Sequence, residues 1–290
     1  MNVISIQSQV VHGCVGNNAA VLPMQAHGLT VAAVPTTLLS NHPHYPTMRG
    51  QVLDADCLAD LLRGVEERGL ANTSTAIISG FLGSPANGEV VADFVARAKQ
   101  CSPDLIYILD PVAGDEDIGA FAGPELIDIF RRKLLPLADI ITPNRWELRR
   151  LAASSEHEDD LLLARQLMHR APSCVIITGG TTTGEELTTL VVEASKAWDI
   201  RSPRIDVRAA GTGDLFTGLF TARLVSGDAA AAAASYAVAA TFGVLEQTPS
   251  APWSELPIAA CLRQLRAPAR MFPAVEIAGA ALPTCEKVMS

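Results

Sequence analysis

The sequence predicts an α/β protein with a mainly parallel central sheet and helices on both faces. Short apolar runs alternate with longer segments of helical period, which is the pattern of repeated β-α units. With 290 residues, of which 49% are hydrophobic, the chain can bury a large core. We find no internal repeat and no Ser/Gly-rich linker, so residues 1–290 are predicted to form a single domain.

The predicted strands are short, mostly apolar runs, as expected for strands that are buried on both faces. In chain order they are Val3–Gln7, Leu29–Val34, Thr75–Ser79, Leu105–Leu109, Asp139–Thr142, Cys174–Thr178, Thr188–Glu193 and Ala197–Ile200. The last two follow each other directly and should form a hairpin.

The predicted helices lie between and after these strands. They are Asn17–His27, Asp54–Arg68, Gly88–Lys99, Leu126–Leu135, Asn144–Ala153, Asp159–Arg170, Leu215–Ser226, Ala229–Leu245 and Trp253–Leu265. The most apolar of them, Ala229–Leu245, is mostly alanine and is interrupted by Ser235, Tyr236 and Thr241. It is too short and too weakly hydrophobic to span a bilayer, so we interpret it as a buried helix and expect no membrane association.

Two segments show neither the residue period of a strand nor that of a helix. Pro35–Gly50 is rich in Thr, Pro, His and Asn and is too long for a plain connection, so we predict a flap over a site at 35–50, with a solvated surface loop as the alternative. The tail after Ala267 has few apolar periods and is predicted to be loosely packed.

Composition excludes several classes of partner and compartment. A net charge of −9, a pI near 5.1 and only four lysines argue against nucleic-acid binding. The N-terminus lacks the charged region of a signal peptide. The six cysteines are scattered without a C-x-x-C pair, which is typical of a reducing cytoplasm, where we expect the protein to reside.

The most informative motif is Gly211-Thr212-Gly213-Asp214, which directly precedes an apolar helix. Glycines let successive backbone N–H groups approach a ligand, and the helix N-terminus adds positive potential, so the segment can form an anion hole. A carboxylate at that place repels phosphate, so it does not serve anion binding alone. Its presence is explained if Asp214 takes up a proton while the amides hold a transferring phosphoryl group. The alternative is an ordinary loop whose Asp214 caps the helix.

Further polar residues stand where predicted strands end, and ligands of open α/β sheets bind off the carboxyl ends of the strands. They are Ser8, Asp110, Thr142, Asn144 with Glu147, and Thr178. Asp110 and Glu147 could hold a hydrated Mg²⁺ together with substrate phosphates. Each has another reading: Ser8 could cap a turn, Asp110 could start one, and Asn144 with Glu147 forms a capping box.

Competing nucleotide and metal motifs can be checked in the same sequence. It has no G-x-x-x-x-G-K-[ST], and the loop Gly13–Gly16 lacks the G-x-G-x-x-G spacing of a dinucleotide fold. The six histidines show no H-x-x-x-H pair, which argues against a zinc site.

Taken together, these motifs resemble those of the pyridoxal kinases in the ribokinase-like superfamily. The matching segments are Ile6–Asn17, Ser40-Asn41-His42, Ser79–Ser84, Asp110–Asp115, Thr142-Pro143-Asn144 with Glu147-Leu148, and Gly211–Asp214. They follow the family's order and span nearly the whole chain through Phe220. The first-strand segment and the Asn-His pair of the flap point to the vitamin B6 branch.

The resemblance implies a three-layer ribokinase-like fold and ATP-dependent phosphorylation of the 5′-hydroxyl of pyridoxal, with pyridoxine and pyridoxamine as further substrates. It implies that Asp214 is the base and that Gly211, Thr212 and Gly213 form the anion hole. Residues expected to bind the vitamer are Ser8, His42, Pro43, His44, Phe81 and Asp214. Residues expected to bind the nucleotide and its metal are Asp110, Thr142, Asn144, Glu147, Thr178, Asp206, Val207, Ala210, Gly211 and Gly213. Mg²⁺ at Asp110 and Glu147, a monovalent cation such as K⁺ and a homodimer are implied as well.

The chain departs from the family pattern at three places. Pro43 and His44 follow Asn41-His42 where many relatives carry Thr, Phe81 stands where Tyr is expected, and Thr178 replaces a Lys of some bacterial relatives. Two other functions stay open. One is a hydroxymethylpyrimidine kinase of thiamine synthesis, although many of those enzymes carry Cys at the position of Asp214. The other is a vitamer-binding protein without catalysis, which would have no need of a base beside an anion hole.

Overall fold

Strands and helices alternate along most of the computed structural model, which describes residues 1–154, 158–181, 185–251 and 254–278. The strands are β1 (Asn2–Val10), β2 (Thr30–Leu39), β3 (Gly50–Val52), β4 (Ser74–Ser79), β5 (Ile106–Leu109), β6 (Gly114–Asp115), β7 (Gly119–Ala120), β8 (Ile140–Ile141), β9 (Cys174–Thr181), β10 (Glu186–Glu193), β11 (Ala197–Pro203) and β12 (Ala274–Glu276). The α-helices are α1 (Asn17–Ala26), α2 (Ala55–Glu67), α3 (Leu70–Thr73), α4 (Pro85–Cys101), α5 (Pro124–Ile129), α6 (Arg145–Ala152), α7 (Asp160–Met168), α8 (Thr212–Val225), α9 (Ala230–Leu245) and α10 (Leu262–Arg266). One π-helical turn, Phe130–Leu134, and two 3₁₀ turns, Leu135–Leu137 and Ile258–Cys261, complete the helical segments of the described ranges.

Within the described residues, ten strands form one sheet in the order β12-β11-β10-β9-β8-β5-β4-β1-β2-β3. The pairs from β9 to β2 are all parallel. The strands β10, β11 and β12 at one edge and β3 at the other are antiparallel to their neighbours. The prediction of a mainly parallel sheet is therefore confirmed, and so is the hairpin, which β10 and β11 form.

Helices cover both faces of this sheet and enclose two apolar cores. One core includes side chains of α2, α4, α5, α6 and α7, and the other includes side chains of α1, α8, α9 and α10. Alternate residues of a strand point to opposite faces. In β1, Ile4 and Ile6 accordingly belong to the first core and Val3 to the second. The helices on both faces are confirmed.

The sheet is longer at its strand ends than the sequence predicted. β1 runs past Ser8 to Val10, and β9 runs past Thr178 to Thr181, so neither residue ends its strand. β2 continues through Pro35 to Leu39, which limits the irregular part of the predicted flap to residues 40–49. β-Branched and apolar residues at 36–39 favour a strand, and there they pair with both β1 and β3.

Two predicted helices are broken where proline intervenes. The segment predicted as Leu126–Leu135 passes from α5 through the π-helical turn into a 3₁₀ turn that contains Pro136. The segment predicted to start at Trp253 becomes helical only at Ile258, directly after Pro257, and Trp253 itself lies outside the described residues. Pro136 lacks the N–H that would continue the α-helical hydrogen-bond pattern, which accounts for the irregular end of the first segment. Pro257 disfavours helical geometry in the residue before it, which accounts for the late start of the second.

The tail after Ala267 was predicted to be loosely packed, and within its described part, residues 268–278, most side chains are exposed or half-buried and Phe272 is the one that is buried. Phe272 is 4% exposed, its carbonyl oxygen accepts a hydrogen bond from the Ser235 hydroxyl, and β12 adds a strand to the sheet beyond β11. The rest of the tail lies outside the described residues.

The alanine-rich segment forms α9, and most of its residues are buried. In the part of the chain that the structure describes, no helix combines the length and the apolar character needed to cross a membrane. The interpretation of this segment as a buried helix is therefore confirmed.

Candidate active site

The glycine turn before α8 is built around a close approach of two loops. Gly211 has a φ of 83°, and a Cβ at this position would overlap the carbonyl oxygen of Cys14. Only glycine satisfies both conditions. Around Gly213, by contrast, a Cβ would meet no atom within 4 Å. The turn is thus packed on one side and open on the other, and Asp214 lies in the first turn of the helix.

Asp214 is 9% exposed, and its Oδ2 accepts a hydrogen bond of 2.8 Å from the backbone N–H of Gly16. Burial raises the pKa of the Asp214 carboxyl, and the bond from Gly16 opposes part of that shift. Gly16 also lies against Ser8, because a Cβ at Gly16 would overlap both the carbonyl oxygen and the Oγ of Ser8. The loop after β1 therefore brings Ser8 and Asp214 together, and a carboxyl with a raised pKa is suited to take up a proton.

Asp110 follows β5 and is 4% exposed. Its Oδ2 accepts a hydrogen bond of 3.1 Å from the hydroxyl of Thr217 in α8, which lies 3.2 Å from the hydroxyl of Thr142. Burial raises the pKa of the Asp110 carboxyl well above its usual value. The negative charges of Glu147 and Asp214 raise that pKa further, whereas the bond from Thr217 opposes the shift. Asp110 thus lies within the electrostatic range of both other carboxylates.

Glu147 belongs to a complete capping box at the start of α6. Its backbone N–H donates to Asn144 Oδ1, and its Oε2 accepts from the backbone N–H of Asn144, both at 2.9 Å. Its Oε1 accepts a further bond of 2.9 Å from the backbone N–H of Ala113, while Asn144 Nδ2 donates to the Gly114 carbonyl at 2.8 Å. Burial raises the pKa of Glu147 to about 8, against the effect of these N–H bonds. The capping reading is therefore confirmed, and the same carboxylate orders the loop after Asp110.

These three buried carboxylates lack an ion-pair partner among the residues that the structure describes. Among the described residues, no Lys, Arg or His forms an ion pair with Asp110, Glu147 or Asp214. Nor do those residues contain a group of three or more His, Cys, Asp or Glu side chains that could hold a metal ion alone. Two carboxylates supplemented by substrate phosphates are a normal environment for Mg²⁺, and the missing positive charge fits such an ion.

The predicted vitamer side of the site lies at the ends of β1 and β4. Ser8 is 7% exposed within β1. Phe81 is partly buried, its carbonyl oxygen accepts a bond of 2.6 Å from the Thr36 hydroxyl, and its ring lies 6.2 Å from that of Phe121. Phe81 therefore presents an aromatic ring but no hydroxyl at this edge.

Within the predicted flap, the two histidines have different surroundings. His42 is 3% exposed, and its Nε2 lies 2.9 Å from Oε1 of Glu255. His44 is partly buried beside His42, with the ring centroids 5.1 Å apart, whereas Pro43 is exposed. Burial lowers the pKa of His44, and the charge of His42 lowers it further. Tyr45 donates its hydroxyl hydrogen to the same Glu255 oxygen at 2.9 Å.

The predicted nucleotide side comprises Thr178 in β9 and residues of the connection between β11 and α8. Thr178 donates its backbone N–H to the Pro143 carbonyl at 3.0 Å, which ties β9 to the start of α6. Asp206, Val207 and Ala210 lie in the connection between β11 and α8. Asp206 contributes to an open cleft of about 460 Å³, which is also lined by Glu185, Pro203 and Arg204.

Three residues of this region were not singled out from the sequence. Thr217 connects Asp110 with Thr142, while Tyr45 and Glu255 fix the flap. Thr217 lies one helical turn after Asp214, so the spacing could have placed it on the same helix face. Glu255 lies in no recognisable motif, and only the three-dimensional structure brings it to residue 42.

Comparisons with known proteins identify one matching family model and several similar curated relatives. A family model described as phosphomethylpyrimidine kinase matches residues 13–252. The chain is 35% identical to pyridoxal kinase PdxY of Leifsonia xyli subsp. xyli over 253 residues, which cover 86% of this chain and 89% of the relative. It is 37% identical to a pyridoxine/pyridoxal/pyridoxamine kinase of Bordetella bronchiseptica over 275 residues, with 91% and 95% covered.

A solved structure supports the same relationship at the level of the fold and of the family. The structure of pyridoxal kinase from Leishmania donovani in complex with ADP and pyridoxamine matches with a TM-score of 0.89 and 26% sequence identity. The match covers 95% of this chain and 99% of that chain. The three-layer fold predicted from the sequence is therefore the fold that this enzyme shares.

Proposed function

The chain belongs to the family of pyridoxal kinases, and we propose that it transfers the γ-phosphoryl group of ATP to the 5′-hydroxyl of pyridoxal. The observation that carries this proposal is the position of Asp214. Its carboxylate is buried at the N-terminus of α8, bonded to Gly16 N–H, beside a turn that is open at Gly213. A binding protein would gain nothing from an anion at this place.

In the proposed reaction, the 5′-hydroxyl oxygen attacks the γ-phosphorus of ATP and its proton passes to Asp214. ADP leaves with the electron pair of the broken P–O bond. The backbone N–H groups of Gly211, Thr212 and Gly213 hold the transferring group, because the first N–H groups of a helix lack partners within the helix. The bond from Gly16 keeps the Asp214 carboxylate in one orientation, so that its other oxygen can face the hydroxyl.

Asp110 and Glu147 are proposed to hold a divalent metal, Mg²⁺, together with the nucleotide phosphates. The bound ion would neutralise charge that develops on the phosphates. Asp110 contributes its carboxylate directly, while Glu147 orders the loop at Ala113 and adds negative charge. A monovalent cation such as K⁺ is included in the proposal on the family resemblance alone.

The remaining site residues are assigned to the two substrates. Ser8, His42, Pro43, His44 and Phe81 are proposed to contact the vitamer, with Ser8 next to its polar groups and Phe81 next to its ring. Thr142, Asn144, Thr178, Asp206, Val207 and Ala210 are proposed to line the nucleotide. The cleft lined by Asp206 supports the assignment of that residue.

A hydroxymethylpyrimidine kinase is the second candidate, and the matching family model, which is described as phosphomethylpyrimidine kinase, supports a related pyrimidine as substrate. An ADP-release assay coupled to NADH oxidation, with pyridoxal, pyridoxine, pyridoxamine and hydroxymethylpyrimidine in parallel, tests both. We expect the highest kcat/KM with one of the three B6 vitamers. A higher value with hydroxymethylpyrimidine would favour the second candidate, and ligand binding without ADP release would favour a non-catalytic protein.

Assembly and compartment belong to the same proposal. A homodimer is included in the proposal on the family resemblance alone. Light scattering of the wild type would test it, and the mass of a single chain, 30.6 kDa, would contradict it. The described cysteines, residues 14, 57, 101, 174 and 261, are free thiols, which supports the cytoplasm.

A further inference from the structure

The carboxylate of Glu255 joins two loops that are far apart in the sequence. Its Oε2 accepts a hydrogen bond from the backbone N–H of Cys14, and its Oε1 accepts one from the Tyr45 hydroxyl, each at 2.9 Å. The same Oε1 lies 2.9 Å from Nε2 of His42. We call these four residues the Glu255 clasp.

On the flap side, the clasp anchors aromatic side chains that pack on each other. The rings of His42 and Tyr45 are 4.8 Å apart, and the Tyr45 hydroxyl also lies 3.1 Å from Nε2 of His12. His42 is almost completely buried although it lies in an irregular segment. The position of segment 40–49 therefore depends on a side chain that the segment itself does not contain.

On the other side, the clasp reaches the loop that orients the base. Cys14, whose N–H binds Glu255, places its carbonyl oxygen against Gly211. Two residues later, Gly16 N–H binds Asp214. Loop 13–16 thus touches Glu255, the glycine turn and Asp214 within four residues.

The Glu255 carboxylate is suited to hold these donors together. Its side chain is 25% exposed, and hydrogen bonds to a charged acceptor are stronger than neutral ones. Burial by itself raises the pKa of Glu255, but the bonds from Tyr45, Cys14 and His42 outweigh burial and lower it below its usual value. At neutral pH the group is ionised and can accept all three bonds.

We propose that Glu255 is a positioning residue that holds segment 40–49 against loop 13–16 and so preorganises the vitamer side of the active site. The kinetic part of this inference rests on the proposed pyridoxal kinase activity. Removing the carboxylate would free the segment and weaken pyridoxal binding, because the ordering of the segment would then have to occur at each binding event.

Limited trypsin digestion tests the clasp without any activity measurement. Arg49 is exposed at the end of the segment and is followed by Gly50, while the exposed Arg68, at the end of α2, provides an internal reference site. We expect Glu255→Ala to raise cleavage after Arg49 relative to Arg68 by about tenfold or more. In the wild type, segment 40–49 must break several charge-assisted bonds to open, and in the variant these bonds are already absent. Tyr45→Phe, which keeps the ring, should raise the ratio less. Glu276→Ala, which removes an exposed glutamate paired with Lys196, is the matched control and should leave it unchanged.

Steady-state kinetics test the positioning role. We expect Glu255→Ala to raise KM for pyridoxal by about tenfold and to change KM for ATP by less than about twofold. For Glu255→Gln, KM for pyridoxal should lie between the values of Glu255→Ala and wild type, because the amide keeps one acceptor oxygen. A general loss of structure would instead lower kcat with both KM values unchanged, and that result would overturn the proposal.

Equal cleavage ratios in wild type, Glu255→Ala and Tyr45→Phe would overturn the clasp itself. If Glu255→Ala does not fold, judged by circular dichroism, the milder Glu255→Gln and Tyr45→Phe variants decide the question by the same two readouts. Absence of pyridoxal phosphorylation in the wild type would contradict the proposed function instead, and the cleavage ratio would still decide whether the clasp exists.

Discussion

Burial of Glu147 should make the stability of the metal-free protein depend on pH. The carboxyl is 5% exposed, and burial raises its pKa from 4.5 to about 8. Because the pKa in the folded state is above that in the unfolded state, the stabilising contribution is complete below about pH 4.5. It is then lost as the pH rises through about 8.

The expected size follows from the proton that the folded state retains. One retained proton changes the free energy of unfolding by about 1.4 kcal/mol per pH unit. For an isolated group with these two pKa values, the loss between pH 5 and pH 8 would be about 3.5 kcal/mol. Because Asp110 titrates together with Glu147, the change is spread over a wider pH range, and we expect a loss of about 1 to 3 kcal/mol between pH 5 and pH 8.

Urea unfolding of wild type and Glu147→Gln in EDTA at pH 5, 6, 7 and 8 measures this effect. The amide cannot ionise, so the stability of the wild type relative to the variant should fall as the pH rises. Glu67→Gln, at an exposed glutamate beside Arg68, is the control and should show a constant difference from wild type. Parallel pH curves for wild type and Glu147→Gln would refute the reasoning.

Two further predictions concern the metal and the flap. Asp110→Ala should raise the Mg²⁺ concentration needed for half-maximal activity by about tenfold or more. The affinity for pyridoxal without nucleotide, measured by calorimetry, should stay unchanged. An unaltered Mg²⁺ titration would remove Asp110 from the metal site. Pro43→Thr should change the ratio of kcat/KM among the three vitamers, because it adds a hydroxyl and a backbone N–H to segment 40–49. His44→Ala should raise KM for pyridoxal more than KM for ATP, because His44 is proposed to contact the vitamer. If both variants keep wild-type vitamer ratios and KM values, segment 40–49 is an ordinary loop.

The sequence was a good guide to the sheet because its strands are buried on both faces. Runs such as Leu105–Leu109 and Cys174–Thr178 are continuous apolar segments, and such a run defines a parallel strand without reference to its neighbours. The short strands β3, β6, β7 and β12 were not predicted. They contain as few as two residues, and they depend on pairing with distant partners rather than on their own composition.

In the candidate site too, the residues that a local sequence pattern identifies differ from those that depend on distant partners. Asp214 and the glycines before it are adjacent in the chain, so a local pattern was sufficient to single them out. Asn144 and Glu147 are three residues apart at the start of α6. The same sequence pattern is expected for a capping box and for a metal site, so the sequence could single out both residues but could not choose between the two roles. Glu255 could not be found in this way, because its partners at positions 14, 42 and 45 lie more than 200 residues earlier.

The central claim is that Asp214 accepts the proton of the 5′-hydroxyl during phosphoryl transfer, and single-turnover kinetics of Asp214→Asn test it most directly. Asn can still accept the Gly16 bond through its amide oxygen, so ATP and pyridoxal should bind nearly as in wild type. The rate of pyridoxal 5′-phosphate formation should fall by about 10²-fold or more. Asp228→Asn, which disrupts a salt bridge to Arg223 at the other end of α8, should keep the wild-type rate. A nearly normal single-turnover rate in Asp214→Asn would contradict the account.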